Sequence, residues 1–252
     1  MNPPPVPTVA YQNHPFLDSD DARPLRILSE YLQPLYAFER QRICGTIVFF
    51  GSARLRPDGP LGEYYEAARD LARRVTAWSE QVSREMCHYA VCTGGGGGIM
   101  EAANRGALEA GGKSIGLNIG LPHEQQPNGF TSPDLAFEFH YFFMRKYWFT
   151  YLAKAMVIMP GGFGTFDEFM EVVTLVQTLK IKKHLPIVLF GTQYWDEILN
   201  FEPMVRYGTI SPEDLNLFFR TDSVDEAFDF LVKDLENHAL KKPNTGYLAD
   251  HK

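Results

Sequence analysis

Three short apolar runs in this chain each stop at a glycine turn and give way at once to a helical pattern. TIVFF (46–50) meets Gly51-Ser52, YAVCT (89–93) meets Gly94 to Gly98, and AMVIM (155–159) meets Pro160 and glycines at 161, 162 and 164. Strands so short and so uniformly apolar have no wet face, so both sides of their sheet must be covered. SIGLNI, LAFEFH, PIVLF and LNLFFR continue the series, and between the runs lie helical patterns such as EYYEAARDLARRVTAWSEQV, apolar at Tyr64, Ala67, Ala68, Leu71 and Val75. This alternation predicts an α/β fold: a doubly wound, Rossmann-like parallel sheet with helices on both faces. With 252 residues and 45% hydrophobic side chains, one domain can bury a full core. It is placed at 44–240. Residues 1–43 form a proline-rich arm and a helix interrupted near Pro34, and 241–252 form a tail.

The totals exclude several classes. A net charge of -7 argues against a nucleic-acid polymer or an anionic membrane as partner. Three cysteines (Cys44, Cys87, Cys92), with no C-x-x-C pair, offer neither a disulfide framework nor a structural zinc site. The start has no signal-peptide pattern and no apolar run reaches membrane-span length, so the expectation is a soluble, cytoplasmic protein.

Other motifs fall away on inspection. A dinucleotide fingerprint needs G-x-G-x-x-G, but Gly94 with Gly96 puts Ile99 at the third site, and Gly95 with Gly97 puts Met100 there. The next strand ends in LNIG, without the acid that would bind a ribose. GALEAGGKS brings Lys113 one residue late for a phosphate loop and precedes a strand. His123-Glu124 lacks the second histidine of a helical zinc site. Lys154 is a poor Schiff-base lysine for a pyridoxal enzyme and reads as a helix-end residue.

In such a sheet, ligands bind beyond the carboxyl ends of the strands, where all three glycine turns must lie. Arg145 joins them by length: a helix from about residue 142 and the strand after it cover similar distances, so the helix start returns to the strand's end. Arg145 and Glu168 should therefore meet over one pocket. T-x-x-E at 165–168 is also the signature of a capping box, in which Thr165 caps the helix and Glu168 reaches back to its N–H. Against that bland reading stands a turn with more glycine than a cap requires, which bares N–H groups for an anion. Glu168 and Glu171 also share one helical face beside it. A phosphate seated there would direct an acid toward the sugar carbon at which N-glycosidic cleavage builds positive charge. The helix from 165 is apolar around much of its circumference (Phe169, Met170, Val172, Val173, Leu175, Val176, Leu179), which predicts a surface for another subunit.

The stretch MRKYWFTYLAKAMVIMPGGFGTFDEFMEVVTLVQT resembles the Lonely Guy (LOG) family of cytokinin-activating phosphoribohydrolases, whose hallmark is an arginine-lysine pair followed by P-G-G-x-G-T-x-x-E. The resemblance runs over roughly 45–200, with FFGSAR and GGGGGIMEAA in the expected order, and the wording is that of the longer bacterial branch. It implies hydrolysis of a nucleoside 5′-monophosphate to base and ribose 5-phosphate without metal or cofactor, by a homodimer or higher oligomer. Carried over by motif, Arg145 and Glu168 are the catalytic pair. Gly162, Gly164 and Thr165 hold the phosphate with help from the Gly94 to Gly98 turn, and Gly95, Gly96, Gly97, Met100 and Gly161 count among the substrate-binding residues. Gly51 and Ser52 line the nucleotide pocket, Lys146 belongs to the basic pair, and Glu171 contacts the ribose. Phe143 stands where many shorter members have a histidine, which bears on the choice of base. Proteins of the same fold that carry the molybdenum cofactor without hydrolysis supply the alternative function.

Overall fold

The computed structural model describes residues 8–82, 88–120 and 127–239. Residues 1–7 of the arm, the tail, Cys87 and the His123-Glu124 pair lie outside them. After a short helix α1 (His14–Leu17) the chain enters α2 (Arg23–Arg40), then alternates β1 (Ile43–Phe50), α3 (Gly62–Val82), β2 (His88–Thr93), α4 (Ile99–Glu109) and β3 (Ser114–Ile119). There follow β4 (Ala136–Phe139), α5 (Phe142–Tyr151), β5 (Ala153–Ile158), α6 (Phe163–Gln177), β6 (Ile187–Phe190), α7 (Thr192–Ile198), α8 (Glu202–Arg206), β7 (Phe219–Thr221) and α9 (Val224–His238).

The strands form one seven-stranded sheet in the order β4-β3-β2-β1-β5-β6-β7, and every pairing is parallel. The chain winds outward from β1 to β4, then returns to the other side of β1 and winds the opposite way. The switch point therefore falls between β1 and β5, whose register joins Ile47 to Ala155 and Phe50 to Ile158. Alternate side chains of β1 enter opposite cores. Val48 and Phe50 pack with Phe38, Trp148, Phe149 and Phe169 under α2, α5 and α6. Ile47 and Phe49 pack with Leu71, Val75 and Leu231 under α3, α4 and α9. That two-sided burial is why the strands read as unbroken apolar runs, and it bears out the predicted fold class.

Two local expectations are corrected. Helix α2 runs on through Pro34. A proline has no N–H to give the carbonyl four residues back, and here that carbonyl, on Glu30, accepts from Trp148 Nε1 at 3.0 Å. A tertiary contact thus replaces the missing helical bond. Residues 192–208 carry two helices, α7 and α8, with Pro203 in the first turn of the second. Helix α6 ends at Gln177, and Leu179 beyond it has φ +56, so Leu179 is not part of the helical surface.

Among the described residues no helix is long and apolar enough to cross a membrane. Cys92 is buried and free, and burial holds its thiol well above the ordinary range. Cys44 is disulfide-bonded.

Candidate active site

The turns that leave β1, β2 and β5 are stitched together at the switch point. Ser52 N donates to Pro160 O at 2.9 Å, tying the first turn to the third, and Ile99 N donates to Ser52 O at 3.0 Å, tying it to the second. Two glycines permit this closeness. Gly98 has φ +62, and a Cβ there would stand 2.2 Å from Ser52 O. A Cβ on Gly161 would stand 2.1 Å from Thr165 Oγ1 and 2.9 Å from Ser52 N. By contrast, nothing lies within 4 Å of a Cβ built on Gly162 or Gly164. Those two glycines face open space.

A cleft of about 390 Å³ opens at this point, lined by Ser52, Arg54, Arg56, Pro160, Gly161 and Tyr194 among others. Tyr194 fixes the turn by donating to Gly161 O at 2.9 Å. The cleft adjoins the start of α6, whose first N–H groups have no carbonyl of their own helix to meet. With the positive end of the helix dipole, that is a seat for an anion.

The capping-box reading fails on position. The residue that caps α6 is Gly162, with no side-chain cap bond. Thr165 is buried within the first turn and Glu168 lies in the next, where its carboxylate turns inward toward α5. Helix α5 begins beside it because the Glu30 carboxylate accepts from His140 N at 2.7 Å and from Tyr141 N at 3.2 Å, satisfying N–H groups just ahead of the helix. The arm's helix thus sets where Arg145 stands.

Arg145 Nη2 lies 3.6 Å from Glu168 Oε1, as the length argument requires. Lys146 Nζ lies 3.5 Å from the other oxygen, and makes closer contacts of 2.8 Å to Asp167 and 2.7 Å to Glu171. At 3.5–3.6 Å the contacts with Glu168 are Coulombic, too long for hydrogen bonds. Both carboxylate oxygens of Glu168, and Nε of Arg145, are buried without a hydrogen-bond partner. Burial pushes the Glu168 carboxyl up to about 7, with Lys146 and Arg145 opposing the shift. Burial also lowers the affinity of Arg145 for its proton, Glu168 and Asp167 working the other way; a guanidinium nevertheless stays charged. For Lys146 burial is the largest influence and disfavours the charge, but its bonds to Asp167 and Glu171 outweigh it and the net shift is upward. Phe142 and Phe149 flank Arg145, their ring centroids 5.2 Å and 5.5 Å from the guanidinium carbon.

The expected residues are thus divided among distinct surroundings. Arg145, Lys146, Glu168 and Glu171 gather between α5 and α6. Lys146 and Glu171 also line a second groove, of about 650 Å³, along α6 with Phe163, Phe166, Asp167 and Met170. Ser52, Gly161 and Gly162 line the first cleft, while Gly51 lies over Ile99, whose side chain leaves no room for a Cβ. Gly95, Gly96, Gly97 and Met100 are not part of that lining.

Instead, the glycine turn after β2 rests on a buried polar network that sequence reasoning missed. Asn104 accepts from Thr93 Oγ1 at 2.7 Å and from Asn128 Nδ2 at 3.0 Å, and donates to Ser114 Oγ at 2.7 Å. Asn128 also donates to Gly96 O at 2.8 Å. Arg54, Arg56 and Tyr194 were missed as well. Arg54 was legible, two residues past Ser52 in a strand-end turn; Tyr194 arrives from α7 and carried no local signal. Lys154, read as a helix-end residue, is the second residue of β5, at the strand end remote from the crevice.

Residues 100–231 match the family model described as possible lysine decarboxylase, more than half of the chain. The chain belongs to this family. Within it, the chain is 29% identical over 206 residues to the cytokinin riboside 5′-monophosphate phosphoribohydrolase LOG3 of Arabidopsis thaliana, covering 79% of this chain and 83% of that one. It is 27% identical over 204 residues to the probable enzyme of the same description, LOGL3, of Oryza sativa subsp. japonica, covering 79% and 89%. The LOG resemblance read from the sequence holds. Among solved structures the fold is shared with TM1055, a structural-genomics target (22% identity, 75% of this chain and 99% of that one, TM-score 0.52). It is shared too with the Moco carrier protein of Chlamydomonas reinhardtii (20% identity, 77% and 98%, TM-score 0.50).

Proposed function

We propose that this LOG-family chain hydrolyses the N-glycosidic bond of a purine nucleoside 5′-monophosphate, releasing the free base and ribose 5-phosphate. The observation that carries the reading is the Glu168 carboxylate: buried, without hydrogen-bond partners, faced by Arg145 and Lys146, and one turn beyond a glycine-capped helix start at the sheet's switch point. Burying two charges without hydrogen bonds is costly for a fold. The cost makes sense where a substrate completes the bonding.

On this reading the 5′-phosphate sits on the N–H groups at the start of α6, with Arg54 or Arg56 near its outer oxygens. The ribose extends toward Glu168. As the bond from the anomeric carbon to the base nitrogen breaks, its electron pair leaves with the base and positive charge grows on the sugar. The Glu168 carboxylate stabilises that charge and orients the water whose oxygen bonds to the anomeric carbon. A group whose pKa lies near 7 is well matched to accept the water's proton at neutral pH. Arg145 acts electrostatically, keeping Glu168 ionised and oriented. AMP and N6-modified cytokinin nucleotides are the candidate substrates. A carrier role, as in the Moco carrier protein that shares the fold, leaves the buried pair without a task. The chain acts as a homo-oligomer on this reading, consistent with Phe163 being 96% exposed on the apolar groove of α6.

The test is to incubate the full chain with AMP and with isopentenyl-AMP, following free base by chromatography, and to repeat it with Glu168→Gln. The parent releases base with matching ribose 5-phosphate. The variant still binds AMP, but its release falls by roughly 10²–10⁴-fold. Undiminished turnover by the variant, or no base from either nucleotide, overturns the proposal.

A further inference from the structure

A second cluster of chemically capable side chains lies at the amino edge of the sheet, away from the crevice. His184 sits just ahead of β6, and Asp234 and His238 stand one turn apart at the end of α9, hence on one helical face. Helix α9 runs back against the strands, so its last turn meets the segment that leads into β6. There Nε2 of His184 lies 2.6 Å from Asp234 Oδ2, while Nδ1 of His238 lies 3.1 Å from the Asp234 backbone carbonyl and 3.5 Å from Oδ1. The two imidazoles stack with centroids 4.0 Å apart and planes at 25°. One ligand atom from each of the three residues lies within 4.8 Å of the others.

We propose that His184, Asp234 and His238 form a binding site for a divalent transition-metal ion of the zinc type. One imidazole would suffice to partner Asp234. The second stacks on the first with its Nδ1 beside the same residue, an arrangement in which both rings and the acid can share one cation. Two imidazole nitrogens and one carboxylate oxygen suit zinc or its neighbours rather than calcium or magnesium, which want oxygen alone. Around tetrahedral zinc the ligand atoms stand about 3.3 Å apart, from bonds of about 2.0 Å. The His184–Asp234 contact therefore opens by less than about 1 Å while the other distances close, through rotation of imidazoles that are about half exposed. Asp234, with a side chain only 14% exposed, is the fixed member. Water from the open side completes the coordination. Because the ion takes the place of protons, its affinity falls as the pH drops.

The bound ion would cross-link α9 to the segment entering β6. Next to His184, Lys183 Nζ donates to the carbonyls of Thr150 and Tyr151 at 2.8 Å each, at the end of α5. The site thus joins α9 to the approach to β6, beside the end of α5. It is independent of the reaction proposed above. Asp234 and His238 gave a sequence signal only as a lone pair; the third ligand comes from 50 residues upstream, which is why the sequence raised no metal site.

The test uses the full chain, freed of metal by chelator and dialysis, titrated with Zn²⁺ in competition with a chromophoric chelator and separately with Co²⁺. The parent binds one equivalent of Zn²⁺, melts at a higher temperature with it, and gives the intense visible bands of low-coordinate Co²⁺. His184→Gln and His238→Gln each weaken Zn²⁺ binding by roughly tenfold or more and abolish both the bands and the rise in melting temperature. Their metal-free melting temperatures, matching the parent's, show that the variants fold. Absence of binding by the parent, or binding that both variants retain, overturns the proposal.

Discussion

Two buried polar clusters sit at the same edge of the sheet, and they are built on opposite principles. Around Asn104 each polar side chain finds a partner: Thr93, Ser114 and Asn128 bond to it, and Asn128 reaches on to the Gly96 carbonyl. Around Glu168 two carboxylate oxygens and the Nε of Arg145 find none. A satisfied network in a low-dielectric interior rigidifies what it touches, while an unsatisfied one costs free energy. The first cluster therefore reads as masonry that holds the glycine turn after β2. The second reads as a site kept incomplete for a guest.

The comparison can be broken most directly at Glu168. If the incompleteness serves catalysis, base release by the parent rises with pH to a plateau as the carboxyl ionises near about 7, and Glu168→Gln flattens that limb as well as lowering the rate by roughly 10²–10⁴-fold. A pH–rate profile of kcat/KM for both proteins decides it, and an unaltered limb in the variant removes Glu168 from the reaction.

Stability supplies the next two measurements. The Glu168 carboxyl titrates near about 7 in the fold against an ordinary 4.5. Between those values the folded chain keeps a proton that the unfolded chain has released, so this group's contribution to stability falls as pH rises through that window and levels off above it. Glu168→Gln removes the penalty. It should match the parent near pH 4.5 and be the more stable at pH 8, by up to about 3 kcal/mol; urea melts at the two pH values check it. Asn104→Leu goes the other way. It strands Thr93, Ser114 and Asn128 and should cost about 1–3 kcal/mol at either pH, and a neutral result in the same melts would mean the network is ornamental.

The smallest effect sharpens the picture within one turn. Gly161→Ala must displace Thr165 or the backbone of Ser52 and should lower the melting temperature by several degrees. Gly162→Ala, at φ −89 with nothing within 4 Å of the new Cβ, should leave melting unchanged within a few tenths of a kcal/mol. If AMP binding, measured by calorimetry, is as strong in Gly162→Ala as in the parent, the anion does not sit on that glycine.

Much of this was legible in the residues. Apolar runs ending in glycine turns gave the parallel sheet, and simple helix and strand lengths brought Arg145 to Glu168, because both depend on repeating backbone geometry. Readings that rested on local chemistry fared worse where a distant group intervened. Pro34 looked like a break until the Trp148 indole took up the freed Glu30 carbonyl. Thr165 and Glu168 looked like a capping box until burial drew the carboxylate toward α5.

Periodicity, strand length and glycine placement belong to the chain itself, and by themselves they settled the layered fold and the sheet edge at which the glycine turns gather. Tertiary structure alone decided which polar atoms lack partners, that Tyr194 and the two arginines share a cleft with the glycine turn, and that His184 meets Asp234 and His238. Hydrogen-bond satisfaction and desolvation are properties of a packed neighbourhood assembled from remote segments, and no local pattern encodes them.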